Sequence, residues 1–182
     1  MNAYAGIGSR ETPPDVLSDM RAIARQLATK GWTLRSGAAD GADRAFEEGA
    51  LDAAQTPYRG APRPEVYLPW PSFNEDNRAM IGTRYYITEP QPEAFAIARQ
   101  HHPAWHRCTG AAKSLHARNV HQILGPDVTR PILSRFVICW TKGGEGGGGT
   151  GQALRIAKHY GVPCFDLARQ ADYDRIVKGL FS

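Results

Sequence analysis

Apolar residues along the chain fall into short runs that end in glycine turns, each followed by a stretch with helical spacing, and this alternation repeats. Asn2 to Ile7 predicts a strand running into Gly6-Ile7-Gly8-Ser9-Arg10. Thr12, with Asp15 three residues on and prolines between, predicts a capped helix start. Val16, Met20, Ile23 and Leu27, with Leu17, Ala24 and Ala28 beside them, give that helix one apolar face, and Gly31 fits its end. A second strand over Trp32 to Arg35 leads through Ser36-Gly37-Ala38-Ala39-Asp40-Gly41 into a small-residue helix, Ala42 to Ala54. Val66-Tyr67-Leu68 is a third strand. Between Pro69 and Thr109, proline, aromatics and histidine replace any clear period, apart from a weak helix near Pro92 to His101, and this predicts an irregular insertion over residues 69–109, either a lid or a surface excursion. Ala112, Leu115, Val120, Ile123 and Leu124 predict a helix over Thr109 to Leu124, and the apolar run Phe136 to Trp140 a strand buried on both faces. After Lys142 to Gly151 come a helix over Gln152 to Tyr160, a strand over Val162 to Leu167 and a closing helix over Ala171 to Leu180.

Strands alternating with helices in this way predict an α/β fold: a Rossmann-like, doubly wound, mostly parallel sheet with helices on both faces. At 182 residues and 42% hydrophobic, the chain fits one domain spanning residues 1–182. The net charge is +4, and 17 of the 22 basic residues are arginine, a side chain suited to phosphate or carboxylate. Arginine richness also follows from a GC-rich coding sequence, so it favours an anionic ligand only weakly. Cys108, Cys139 and Cys164 are odd in number and widely spaced, which argues against a disulfide framework and for a reducing, cytoplasmic setting. No signal-like segment follows Met1 and no apolar run approaches the ~20 residues a bilayer needs, so no membrane partner is expected.

In open parallel sheets, ligands sit outside the carboxyl ends of the strands, where amides and helix N-termini receive anions. Three turns lie at such ends: Gly6 to Arg10, Ser36 to Asp43, and Lys142 to Gln152. Each taken alone is as well explained as a tight turn; three at equivalent positions point to a shared phosphate site. The candidate ligand-binding residues are Gly6, Gly8, Ser9, Arg10, Ser36, Gly37, Asp40, Gly41, Asp43, Gly148, Gly149, Thr150, Gly151 and Gln152. Trp70, Arg78, Arg118 and Asn119 are candidates for a side wall, together with the rest of the His116 to Gln122 face. Asp40 and Asp43 are equally read as first-turn acids of their helix, and Arg10 as a surface arginine. His101, His102, His106, Cys108 and His116 cluster in sequence, but with no CxxC or HExxH spacing, so neither a metal nor another cofactor is expected. The chain lacks the Gly-x-Ser-x-Gly elbow and the GxxxxGK[ST] phosphate loop, which disfavours nucleophilic hydrolysis and ATP hydrolysis.

Taken together, Tyr4-Ala5-Gly6-Ile7-Gly8-Ser9-Arg10, Ser36 to Asp43 and Gly148-Gly149-Thr150-Gly151-Gln152-Ala153 resemble the SLOG superfamily, the Rossmann-like group with DprA/Smf, Lonely Guy and YspA/YpsA-related branches. His116 to Gln122 looks like a segment of its small phage and prophage members. The resemblance implies a nucleotide-derived ligand such as AMP, an ADP-ribose-like molecule or a cyclic nucleotide signal, captured in some members for defence signalling. Its alternatives are N-glycosidic hydrolysis and DprA-like binding of single-stranded DNA. It also implies a homodimer or higher homo-oligomer, for which the helix over Thr109 to Leu124 is a candidate interface. The Lonely Guy motif ends Gly-Thr-x-x-Glu; after Gly149-Thr150 this chain has Gln152 and Ala153, neither a carboxylate. Hydrolysis would therefore have to fall to Asp40, Asp43 or Glu145. Nucleic acid is the less expected partner, because the arginines are dispersed among acids and few aromatic rings accompany them.

Overall fold

The computed structural model describes residues 2–55, 60–75, 84–87 and 89–181. Its elements run β1 (Ala3–Gly6), α1 (Pro14–Thr29), β2 (Thr33–Ser36), α2 (Ala42–Gln55), β3 (Glu65–Tyr67), β4 (Arg84–Ile87), α3 (Pro92–Gln100), α4 (Gly110–Leu124), β5 (Val137–Cys139), α5 (Gly148–His159), β6 (Cys164–Asp166) and α6 (Gln170–Phe181). The strands form one sheet in the order β4-β3-β2-β1-β5-β6. Every pairing in it is parallel. This is the Rossmann-like α/β architecture that the alternating pattern predicts.

Alternation along the strands separates two cores. Tyr4, Leu34 and Ile138 point to the side covered by α1, α2 and α6, where Met20, Ile23, Leu27 and Phe46 meet them. Ala5, Val137 and Cys139 point to the other side, against Ala94 and Ala98 of α3, Val120, Ile123 and Leu124 of α4, and Ile156 of α5. Strands covered on both faces read as continuous apolar runs, which explains Phe136 to Trp140. Between β2 and β3, a buried Arg35 donates from Nε to Glu65 at 2.8 Å and from Nη1 to the Ile132 carbonyl, while the Tyr67 hydroxyl donates to Glu65 at 2.9 Å.

Three expectations need correction. The first helix is capped at Pro13 without a side-chain bond, because Thr12 turns its hydroxyl back to the Ser9 carbonyl at 2.7 Å. The stretch 69–109 holds the helix expected near Pro92 to His101, as α3, whose small residues Ala94 and Ala98 let it pack closely, but it also supplies an edge strand, β4, that the pattern did not predict. The fifth helix starts at Gly148 rather than Gln152, so part of the glycine run is helical. Helix α4 is buried in the chain's own core from Ala117 to Leu124, while its first turns, residues 110–116, stay exposed or half-buried. Among the described residues, no helix is long and apolar enough to cross a membrane.

Candidate functional site

The sheet order reverses at β1, which lies between β2 and β5. Strand order of this kind leaves a crevice at the carboxyl ends of the strands where it reverses. A cavity of about 690 Å³ lies there. Its walls include Gly8, Ser9 and Arg10 after β1, Asp40 and Asp43 after β2, and Thr141, Lys142, Glu145 and Gly147 to Thr150 after β5. Ala112, Leu115, His116, Arg118, Asn119 and Gln122 of α4 form one side, with Phe73 and Asn74 beside them. Such a volume falls within the range of small-molecule sites.

The glycine-rich loop has a fixed shape. Asp166 at the end of β6 accepts from the Thr141 amide at 3.1 Å and from the Thr141 hydroxyl, whose oxygen in turn accepts from the Gly146 amide at 3.0 Å. Arg169 holds the other side, donating from Nε to the Gly144 carbonyl at 3.0 Å. Along this loop Gly143, Gly144 and Gly146, and past the last anchor Gly148, take positive φ, from 64° to 70°. That left-handed backbone favours glycine over residues with a Cβ. Helix α5 then begins with Gly147 at the N-cap and no side chain capping its amides. The first amides of a helix have no intrahelical partner, so those of this turn carry the positive end of the helix dipole into the cavity.

Below the second loop lies a buried charge cluster. The Arg118 guanidinium donates from Nη1 to the Gly37 carbonyl and, at 3.3 Å, to Asp43. Burial raises the Asp43 carboxyl, opposed by Arg118 and by amide bonds from Ala39 and Gly8. Glu47, one turn on, accepts from the Ala38 amide at 2.9 Å. Burial, and then the charge of Asp43, push the Glu47 carboxyl up to about 8. Burial works against the charge on both Arg118 and Asp43, each offsets that cost for the other, and Glu47 is held toward its protonated form. Ala38, in the same turn, has φ 57°, a left-handed conformation uncommon for a residue with a Cβ.

Of the residues expected at the site, Gly8, Ser9, Arg10, Asp40, Asp43, Arg118, Asn119, Gly148, Gly149, Thr150 and Glu145 line the cavity. Others serve the frame. Gly6 lies on β1, where a Cβ would meet Leu34 and Phe46; Gly37 makes room for Arg118; Gly41 passes against the backbone of Ser9 and Arg10; Gly151 passes against the Gly146 carbonyl. Ser36 is buried and donates its hydroxyl to the Asp43 carbonyl at 3.4 Å. Gln152 is also fully buried: it accepts from Asn119 at 3.3 Å and donates to the Ala98 carbonyl at 3.4 Å, tying α3, α4 and α5 together. Trp70 lines a separate recess of about 260 Å³ and touches Phe73 edge-on, with ring centroids 5.2 Å apart. Arg78 lies outside the described residues. Sequence reasoning passed over Lys142, Phe73, Asn74 and Glu47. Only Lys142 carried a signal, as the basic residue opening the glycine run.

On the rim of the cavity, His116 is held below the usual imidazole range by burial and by His102. Its ring centroid is 4.3 Å from that of His102, and Cys108 Sγ lies 3.8 Å from both ring nitrogens of His102. The fold therefore gathers three of the five histidines and cysteines that cluster in sequence without a metal-binding spacing.

No family model matches the sequence, and no curated protein does. Solved structures do match. DNA processing protein A from Helicobacter pylori, a protein with a unique single-stranded DNA binding mode, superposes with a TM-score of 0.60 at 21% identity, covering 98% of this chain and 72% of that one. TM1055 superposes with a TM-score of 0.52 at 17% identity, covering 98% and 81%. At these identities the likeness establishes the common Rossmann-like fold.

Proposed function

We propose that the cavity captures a phosphorylated, nucleotide-type ligand, of the AMP, ADP-ribose-like or cyclic-nucleotide class, without turning it over. The observation that carries this reading is the uncapped first turn of α5, where Gly147, Gly148 and Gly149 leave open space around each Cβ position and line the same cavity as Ser9, Arg10 and Lys142. Unpartnered amides, the helix dipole and two cationic side chains form a phosphate subsite. In this arrangement Asp40 accepts from a ribose hydroxyl and Phe73 offers a ring face to the base. In keeping with the resemblance to defence-related members, such a pocket would sequester a nucleotide signal.

Turnover has weaker support. Asp43 is engaged by Arg118, Ala39 and Gly8, and Gln152, which follows Thr150 where Lonely Guy enzymes approach their glutamate, is buried among helices. Glu11, Asp40 and Glu145 remain as cavity carboxylates, but all three are exposed to water. The structural likeness to DNA processing protein A gives DNA binding a hearing. Sequence-tolerant strand binding uses successive stacking rings, whereas among the described residues lining this cavity Phe73 is the one Phe, Tyr or Trp.

Calorimetric titration with AMP, ADP-ribose, a cyclic dinucleotide and a single-stranded oligonucleotide tests the proposal, with free base assayed after long incubation. Saturable binding of one nucleotide recovered intact is the expected result. Multiple-turnover base release, or binding of the oligonucleotide alone, would replace it with the enzyme or the DNA reading.

A further inference from the structure

We propose that His102, Cys108 and His116 form a binding site for a zinc-type divalent transition metal on the rim of the cavity. One donor atom from each of the three lies within 4.8 Å of the others. Tetrahedral zinc, with bonds of ~2.0–2.3 Å, holds its ligand atoms roughly 3.3–3.8 Å apart, so closure takes about 1 Å of side-chain adjustment. The Cys108 thiol is already 3.8 Å from both ring nitrogens of His102.

The three come from different local structures. His102 follows α3, Cys108 ends the short turn Trp105–Arg107, and His116 lies on α4. Their separations in sequence fit no standard metal motif, and the turn is what folds them together. His116 Nδ1 is buried with no hydrogen-bond partner, an orphan that a metal or a metal-oriented proton would satisfy. Trp105 lies beside both imidazoles, 6.1 Å from His102 and 6.3 Å from His116, and supplies an apolar wall.

One thiolate with two imidazoles is a borderline-soft set that suits zinc or cobalt over magnesium or calcium. His102 Nδ1 now accepts from the Ala104 amide at 3.2 Å. Metal capture through that nitrogen costs one hydrogen bond, a small part of what three metal–ligand bonds return. Three protein ligands leave a fourth position open. Because His116 also lines the cavity, that position admits water or an oxygen of whatever the cavity holds. The metal site itself stands independently of the nucleotide reading.

The test is titration of the full chain with cobalt(II) alone, followed by optical absorption. Equimolar saturation is expected, with a thiolate-to-cobalt charge-transfer band and the intense visible bands of four-coordinate cobalt, all displaced by zinc. Cys108→Ser should abolish the charge-transfer band, and His102→Ala should weaken cobalt binding by more than about tenfold. Cys164→Ser should change neither, and far-ultraviolet circular dichroism checks that each variant is folded. Absence of the bands in the wild type, their survival in folded Cys108→Ser, or unchanged affinity in folded His102→Ala would overturn the site.

Discussion

Replacing Gly149 by alanine should move stability and binding in opposite directions. Gly149 is the second residue of α5, its φ is not positive, and no atom lies within 4 Å of the position a Cβ would take. Alanine at a helical position lacking a steric conflict is favoured over glycine by roughly 0.5–1 kcal/mol. The same methyl stands in the mouth of the helix, where a phosphate oxygen would have to come within ~2.9 Å of an amide. Displacing the phosphate from one charge-assisted hydrogen bond removes about 1.5–3 kcal/mol, or roughly a 10- to 150-fold weaker Kd. Urea unfolding reads the first effect and calorimetry with the best-binding nucleotide the second. Gly151→Ala is the contrast, since its methyl would land on the Gly146 carbonyl. Overpacking there should destabilise by about 1–3 kcal/mol. Unchanged nucleotide affinity in a stabilised Gly149→Ala would refute phosphate binding at this turn. Loss of stability would instead refute the placement of the helix start.

Glu47 makes stability depend on pH: because its carboxyl is raised from 4.5 to about 8, its contribution is fully present below 4.5 and is lost as pH rises through about 8. At 1.36 kcal/mol per pH unit the span reaches about 5 kcal/mol, so Glu47→Gln should flatten the wild-type decline in urea-unfolding free energy across this window, and an unchanged slope would show that Glu47 is not its source. Arg118→Met leaves the Asp43 carboxylate buried without its cation and should cost about 3–5 kcal/mol, much of it recovered by Asp43→Asn in the same chain; purely additive effects in the double-mutant cycle would dissolve the pair. Thr141→Val removes the hydroxyl that links Asp166 to the Gly146 amide, and a loss of about 1–3 kcal/mol, with slower nucleotide association as the loop loosens, should appear in unfolding and stopped-flow measurements. Association at the wild-type rate would mean that the loop keeps its shape without this bond.

Much of the fold was legible because the strands are covered on both faces and the helices on one, so apolar run and apolar stripe alternate visibly. The edge strand Arg84–Ile87 was not, since its four residues stand in a stretch with no period of their own. The glycine turns located the cavity, yet they did not say which glycines face it. Gly37 and Gly151 carry the same letters as Gly148 and Gly149, and only the packing partners, Arg118 in one case and the Gly146 carbonyl in the other, assign them to the frame. Gln152 misled for the same reason: one helical turn decides between cavity and core, and the helix begins four residues before the sequence suggests. Glu47 gave no signal at all. An acid on a predicted surface helix reads as solvated until the second loop is seen to close over it.

The anchoring of the glycine run at Thr141, Asp166 and Arg169 changes what its composition means for ligand exchange. A free chain of glycines would have to surrender backbone entropy of roughly 1–2 kcal/mol per residue on gripping a phosphate, and affinity would fall accordingly. On the proposed reading, a loop already held in left-handed steps at Gly144 and Gly146 would present its amides before any ligand arrives. A receptor of that kind behaves as a mould. Its association rate is set by diffusion and charge steering, its selectivity by the outline of the recess, and its residence time by how many amides the guest can satisfy at once.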